Sequence, residues 1–286
     1  MAGEFDVIYR YLAHLGAGEG VILSVGDDAA VLRPSFGCEL LVSTDTLVEG
    51  RHFPRDTLPE HIAFRAVATA ASDLAAMGAT PLAMTLALTL PESDELWLHG
   101  LATGLGQAVS ALQLPLVGGD LTRGPLSLTV TVMGQCPAGK AVRRSGARPG
   151  ERLCVTGTLG DAAMGLSLIE GRSGLESLPE WAVLDYLEER FYRPTARLDW
   201  SLWLRDHASA AIDISDGLLA DVGHLAGASG VSLHIETSTL PLSEALRSLA
   251  TVDSLALAGT GGDDYEVALT VPRDVPLPVG CTAIGW

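Results

Sequence analysis

The strongest constraint on this chain is a set of nine aspartates in short clusters with glycine, serine or threonine. They are Asp27 and Asp28 in Gly26-Asp27-Asp28-Ala29, Asp45 in Ser43-Thr44-Asp45, Asp73 in Ser72-Asp73-Leu74 and Asp120 in Gly118-Gly119-Asp120. Asp213 and Asp216 lie in Asp213-Ile214-Ser215-Asp216-Gly217, and Asp263 and Asp264 in Gly261-Gly262-Asp263-Asp264. Most follow an apolar run, which predicts a buried strand giving way to a turn. Carboxylates brought together there repel unless cations lie between them. Hard oxygen ligands suit Mg²⁺, which in proteins usually arrives with substrate phosphates. The pattern points to phosphoryl transfer from a nucleotide.

The rest of the composition narrows the field. With 286 residues, 48% of them hydrophobic, and a mean hydropathy of +0.30, the chain can bury a large core, in one large domain or two ordinary ones. A net charge of -17 offers no overall attraction to nucleic acid or anionic lipid. A solvated acidic surface explains that total, but not why so many aspartates sit beside glycines. Cys38, Cys136, Cys154 and Cys281 form no C-x-x-C pair and read as buried free thiols of a reducing compartment. No basic-then-apolar leader opens the chain, and Arg65 and Asp73 interrupt its longest apolar stretch, residues 64–77. A cytoplasmic protein with no membrane span is expected.

Apolar runs alternate with helical patterns. Strands are predicted over 38–42, 81–90, 126–133, 152–156, 210–214, 231–235 and 266–271. Helices are predicted over 59–77, 93–112 with Ser93 as N-cap, 216–228 and 243–250, and from about Asp161, Trp181 and Thr195. The turn-rich segment Arg143 to Gly150 places a boundary just before it, giving domains 1–137 and 138–286. Strands mixed with helices in both halves imply an α/β or α+β two-domain architecture.

Each motif has an ordinary alternative. Gly-Asp pairs are turn residues, yet Asp27 and Asp28 would point to opposite faces of a strand, leaving one to face a metal. Thr44 and Asp45 offer a hydroxyl and a carboxylate to a cation, or an Asx-turn. Asp73 interrupts an alanine-rich helix, so it is either exposed or holds a metal. Gly118 and Gly119 would let the backbone approach a phosphate, with Asp120 on the metal and Arg123 offsetting charge; a hairpin turn is the alternative. Asp213, Ser215 and Asp216 at a strand end and helix start suit an anion-plus-metal site. Arg143 and Arg144 suit an outer phosphate clamp or a basic linker. With Lys140 the only lysine, followed by Ala141, no P-loop exists, and Gly16 to Gly20 has the wrong spacing for a dinucleotide fingerprint.

In order, seven segments resemble the thiamine-monophosphate kinase family, of the superfamily that includes aminoimidazole ribonucleotide synthetase and selenophosphate synthetase. They are Gly26 to Ala30, Ser43 to Phe53, Ser72 to Ala79, Gly118 to Gly124, Arg144 to Pro149, Asp213 to Leu218 and Gly261 to Glu266. The resemblance implies an Mg²⁺-dependent phosphotransferase that uses ATP on thiamine phosphate to make thiamine diphosphate. It implies Asp28, Ser43, Thr44, Asp45, Asp73, Asp120, Asp213 and Asp216 as metal ligands. Gly119, Asp120, Arg144 and Ser215 would contact ATP, and His52 and Asp263 the substrate. It also implies a homodimer whose N-terminal domains pair their sheets into a barrel. Position 263 is Asp where many relatives carry Glu, which shortens the reach to substrate. The family also continues past the point matching Trp286 into a segment that brings an aromatic residue to the thiamine rings.

The acceptor oxygen of a phosphate is already anionic, so transfer needs positioning and charge neutralisation more than a general base. Asp45, Asp120 and Asp213 are the expected catalytic carboxylates. The alternatives are a sister enzyme of the superfamily, such as an aminoimidazole ribonucleotide synthetase-like one, and a nucleotide-binding module without catalysis.

Overall fold

The computed structural model describes residues 4–249 and 252–286. Two compact units emerge, Met1–Leu74 with Ala79–Lys140, and Ala75–Gly78 with Ala141–Trp286. Both mix strands with helices, the α/β arrangement expected from the sequence.

In the first unit α1 (Glu4–Val7) runs into a π turn, Ile8–Leu12, and β1 (Val21–Leu23) pairs with β2 (Val31–Leu32). Then come β3 (Cys38–Val48), α2 (Pro59–Ala76), β4 (Thr80–Leu90), α3 (Glu95–Leu112), β5 (Leu116–Arg123) and β6 (Ser127–Pro137). The sheet order is β3-β6-β4-β5. Only the β4–β5 pairing in it is parallel, because α3 carries the chain back between them. On β6, Leu128, Val130, Val132, Gly134 and Cys136 alternate as buried residues. A Cβ on Gly134 would meet Leu74 Cδ2 at 3.1 Å, so α2 covers that face. Helix α3 buries Leu98, Leu101, Leu105 and Ala108, a helical spacing. Its N-cap is Asp94, whose Oδ1 accepts the Trp97 N–H at 2.7 Å, rather than Ser93. The other sheet face is open. Thr44 and Thr46 there share hydrogen bonds with Thr131 and Thr129, both at 2.9 Å, beside exposed Leu40, Val42 and Val48.

The expected strand 38–42 is too short. Strand β3 runs to Val48, so Ser43, Thr44 and Asp45 lie inside it, in register with Val132, Thr131 and Val130. Gly118, Gly119 and Asp120 likewise lie inside β5 and not in a turn. Strand alternation disposes polar side chains to the two faces without ending the ladder.

The second unit holds β7 (Arg152–Thr156), α4 (Asp161–Ile169), α5 (Trp181–Tyr192), α6 (Ser201–His207), β8 (Ala210–Asp213), α7 (Leu218–Ser229), α8 (Glu244–Ser248), α9 (Ser254–Thr260), β9 (Val267–Val271) and β10 (Cys281–Gly285). Its antiparallel sheet has the order β10-β7-β9-β8. Both faces are covered. Leu153, Val155 and Ile212 pack with Leu218, Val222 and Leu225 of α7. Cys154, Leu269 and Val271 pack with Trp200 and Leu204 on the other side. The strands therefore read as continuous apolar runs.

Two further expectations need correction. Residues 231–235 form no strand; only Ile235 bridges to Gly285. Helix α7 starts at Leu218, not Asp216, because Gly217 takes φ 116°. Helix α9 was not foreseen, and of the predicted helix 243–250, Ala250 lies outside the described residues.

Candidate active site

Strand β3 and helix α2 bring the first group together. Asp45 and Ser43 share the helix-covered face of β3, two residues apart. Ser43 Oγ donates to Asp73 Oδ2 at 2.5 Å from α2. The Asp45 carboxyl is pushed above the usual carboxylate range, first by burial and then by the charge of Asp73. Two carboxylates and a hydroxyl thus meet in a partly buried place where the two negative charges oppose each other. A hard cation suits that donor set. Thr44 faces the open side and is tied to Thr131.

The second group lines a cavity of about 620 Å³ in the same unit. The loop Ser24 to Ala30 brings Asp27 and Asp28 to it, and β5 brings Gly118, Gly119 and Asp120; Tyr9 and Leu12 close it from the N-terminal segment. Asp28 and Asp120 are both exposed. Gly119 has φ 155°, and a Cβ there would lie 1.8 Å from the Leu86 carbonyl oxygen. That glycine is needed for the close pairing of β5 with β4, whatever else it does.

These two groups are not adjacent within one chain. Asp45 lies on one edge strand of the sheet and Asp120 on the other, with β6 and β4 between them. Three strand spacings amount to about 14 Å. Register also puts them on opposite faces, since Asp45 aligns with buried Val130 and Leu86, and Asp120 with exposed Ala87. Among the described residues no group of three or more His, Cys, Asp or Glu side chains is placed to hold a metal ion.

In the second unit the two remaining motifs are joined backbone to backbone. The Asp263 N–H donates to the Ser215 carbonyl and the Tyr265 N–H to that of Ile214, both at 2.9 Å. A Cβ on Gly262 would sit 2.6 Å from the Ser215 carbonyl oxygen, so this contact demands glycine. Asp213 ends β8 and is buried, Asp216 is exposed, and Asp263 is half-buried. Asp221, which the sequence analysis did not single out, anchors the turn. Its Oδ2 accepts the N–H groups of Ser215, Asp216 and Gly217 at 3.0, 3.0 and 3.1 Å. Burial raises its pKa, and those backbone donors work against the rise. The one available signal was its acidic character in the first turn of a helix that follows glycine.

His52 is exposed, and its Nδ1 accepts the Val48 N–H at 3.0 Å. Arg144 is exposed in a segment whose shape is fixed by Ser229. Ser229 Oγ donates to the Arg144 carbonyl at 2.9 Å and accepts from Gly146 and Ala147. Asp264 and Glu266 turn inward to a buried ionic cluster with Arg190 and Arg197.

Comparison with known proteins gives a consistent result. Residues 26–136 match the family described as AIR synthase related protein, N-terminal domain, and residues 148–273 its C-terminal counterpart. The chain is 45% identical to the thiamine-monophosphate kinase of Salmonella typhimurium over 273 residues, covering 95% of this chain and 83% of that one. The crystal structure of thiamine-monophosphate kinase from Stenotrophomonas maltophilia superposes with a TM-score of 0.86 at 43% identity, covering 93% and 88% of the two chains. A structure described as AaThiL complexed with AMPPCP and TMP gives 0.82 at 33% identity, covering 99% and 90%.

Proposed function

Since this chain belongs to the thiamine-monophosphate kinase family, we propose that it transfers the γ-phosphoryl group of ATP to the phosphate of thiamine phosphate, giving ADP and thiamine diphosphate. The observation that carries the proposal is the Asp45–Asp73 pair, two half-buried like charges braced by Ser43. Its oxygen donors fit Mg²⁺. Ser43, Asp45 and Asp73 would hold metal on the helix-covered face; Thr44, on the open face, and Asp28, Asp120, Asp213 and Asp216 are also assigned to metal. Bound Mg²⁺ would neutralise polyphosphate charge as the γ-phosphoryl group departs.

The chain's own residues supply the rest. Gly119, Asp120, Arg144 and Ser215 are assigned to ATP, with the Arg144 guanidinium offsetting phosphate charge. His52 and Asp263 are assigned to thiamine phosphate. The anionic acceptor oxygen needs alignment with the γ-phosphorus and no strong base. A homodimer is the proposed assembly, supported by exposed Leu40, Val42 and Val48 on the open sheet face. Among the described residues no helix is long and apolar enough to cross a membrane, and the four cysteines are free thiols, Cys136 and Cys154 buried as expected but Cys38 and Cys281 only partly so. A cytoplasmic location agrees with both.

An ADP-release assay with ATP present, thiamine phosphate added or omitted, and Mg²⁺ varied tests the proposal. ADP should appear only when thiamine phosphate and Mg²⁺ are both present. ADP formation indifferent to thiamine phosphate would overturn it.

A further inference from the structure

Asp263 and Tyr265 have φ of 71° and 50°, left-handed values that side chains other than glycine, asparagine and aspartate rarely take. Asp264 lies between them and is fully buried. Its Oδ2 accepts the Gly160 N–H at 2.7 Å, and Oδ1 faces the Ala162 N–H at 3.4 Å, both at the start of α4. Arg190, itself almost fully buried, donates to the Asp264 carbonyl at 3.4 Å and to Glu266 Oε1 at 2.9 Å. Arg197 grips Glu266 through two bonds of 2.5 and 2.6 Å, and Thr156 Oγ1 adds a third at 2.6 Å. The turn is thus fastened on both sides of Asp263 from beneath.

Buried ionic clusters add little stability over apolar packing. Strain in the backbone persists only where the surroundings over-determine it, and it gathers at functional sites. The cluster and the strain coincide at one turn, and the side chain that this turn presents is Asp263.

We propose that Asp264 is a positioning residue, which with Arg190 and Glu266 holds Asp263 in the orientation that receives thiamine phosphate. The inference rests on the kinase reading above and deepens it. The neighbouring Ser215-Asp216-Gly217 turn has a separate anchor in Asp221. The Asp263 N–H also donates to the Ser215 carbonyl, but the Ser215 turn keeps its Asp221 anchor when Asp264 is lost, so the larger effect falls on the acceptor side.

Steady-state kinetics of the full chain, with each substrate varied in turn, test this on the wild type, Asp264→Asn, Asp263→Ala, the double variant and Arg190→Lys. Asp264→Asn should raise the KM for thiamine phosphate about tenfold and change that for ATP by less than about twofold. The double variant should be no worse than Asp263→Ala alone, because Asp264 acts through Asp263. Arg190→Lys, which keeps the charge and loses the planar fork, should reproduce the selective rise more weakly. It carries the test if Asp264→Asn shows no cooperative thermal transition. Equal shifts in both KM values, no shift, or additive losses in the double variant would overturn the positioning role while wild-type turnover stands. A wild type that makes no ADP from thiamine phosphate and ATP would instead remove the kinase reading, and this inference with it.

Discussion

At the scale of single residues, like charges held together work against the protein that lacks a cation between them. Asp45 is pushed toward its neutral form by burial and by Asp73. Asp45→Asn should therefore abolish turnover, a loss of at least about 10³-fold, and at the same time raise metal-free stability by about 0.5–2 kcal/mol. Thermal unfolding in EDTA and the ADP assay would show the two effects together; Mg²⁺ should raise the wild-type midpoint more than that of Asp45→Asn. Asp264 makes a second case, measured by pH. Burial pushes its carboxyl up to about 7, with the Gly160 N–H and Arg190 pulling the other way. The folded pKa exceeds the unfolded value of about 3.9, so the folded state binds the proton more tightly. That contribution is complete below about pH 4 and is lost as pH rises to about 7. Denaturation midpoints of the wild type and Asp264→Asn across this window should diverge in slope, the wild type losing more stability with each unit of pH.

At the scale of elements, backbone contacts explain residues that sequence reading assigned to ligands. Gly119→Ala would set a Cβ 1.8 Å from the Leu86 carbonyl oxygen and 2.6 Å from its carbonyl carbon, backbone atoms that cannot rotate away. It should destabilise the unit by at least about 2 kcal/mol in urea. Asp221→Ala would strip one acceptor from three N–H groups and should cost about 1–3 kcal/mol, with a raised KM for ATP through Ser215. A variant with unchanged stability and KM would show that the turn holds itself. Much of the fold was legible because its signals are local. Pro59 opens α2, the 98/101/105/108 spacing writes α3, and continuous apolar runs mark β7, β8 and β9. The ends of β3 and β5 were not legible, since Thr44 and Gly119 look like turn residues until their cross-strand partners are known. The candidate ligands were legible as types, by glycine and aspartate side by side. Their supports were not, because Arg190 and Arg197 meet Glu266 from 76 and 69 residues away.

At the scale of the whole molecule, the arrangement of the carboxylates bears on assembly. One copy of the first unit leaves Asp45 and Asp120 on opposite edges and opposite faces of a four-stranded sheet. No change of side-chain rotamer spans about 14 Å, so a cation cluster using both draws them from different copies if the sheets pair as proposed. The apolar side chains available for that pairing, Leu40, Val42 and Val48, lie on the same strand as Asp45. Replacing Leu40 and Val42 together by Glu should shift sedimentation toward monomer and abolish turnover without unfolding either unit. Complementation gives the sharper test. Asp45→Asn and Asp120→Asn chains, each inactive alone, are mixed under conditions that allow exchange. Half of the dimers are then mixed, and one of the two sites in each regains both carboxylates, so activity should return to about a quarter of the wild-type level. A mixture that exchanges subunits, as native mass spectrometry would show, yet stays inactive would mean that Asp45 of one copy and Asp120 of the other do not meet in a shared site.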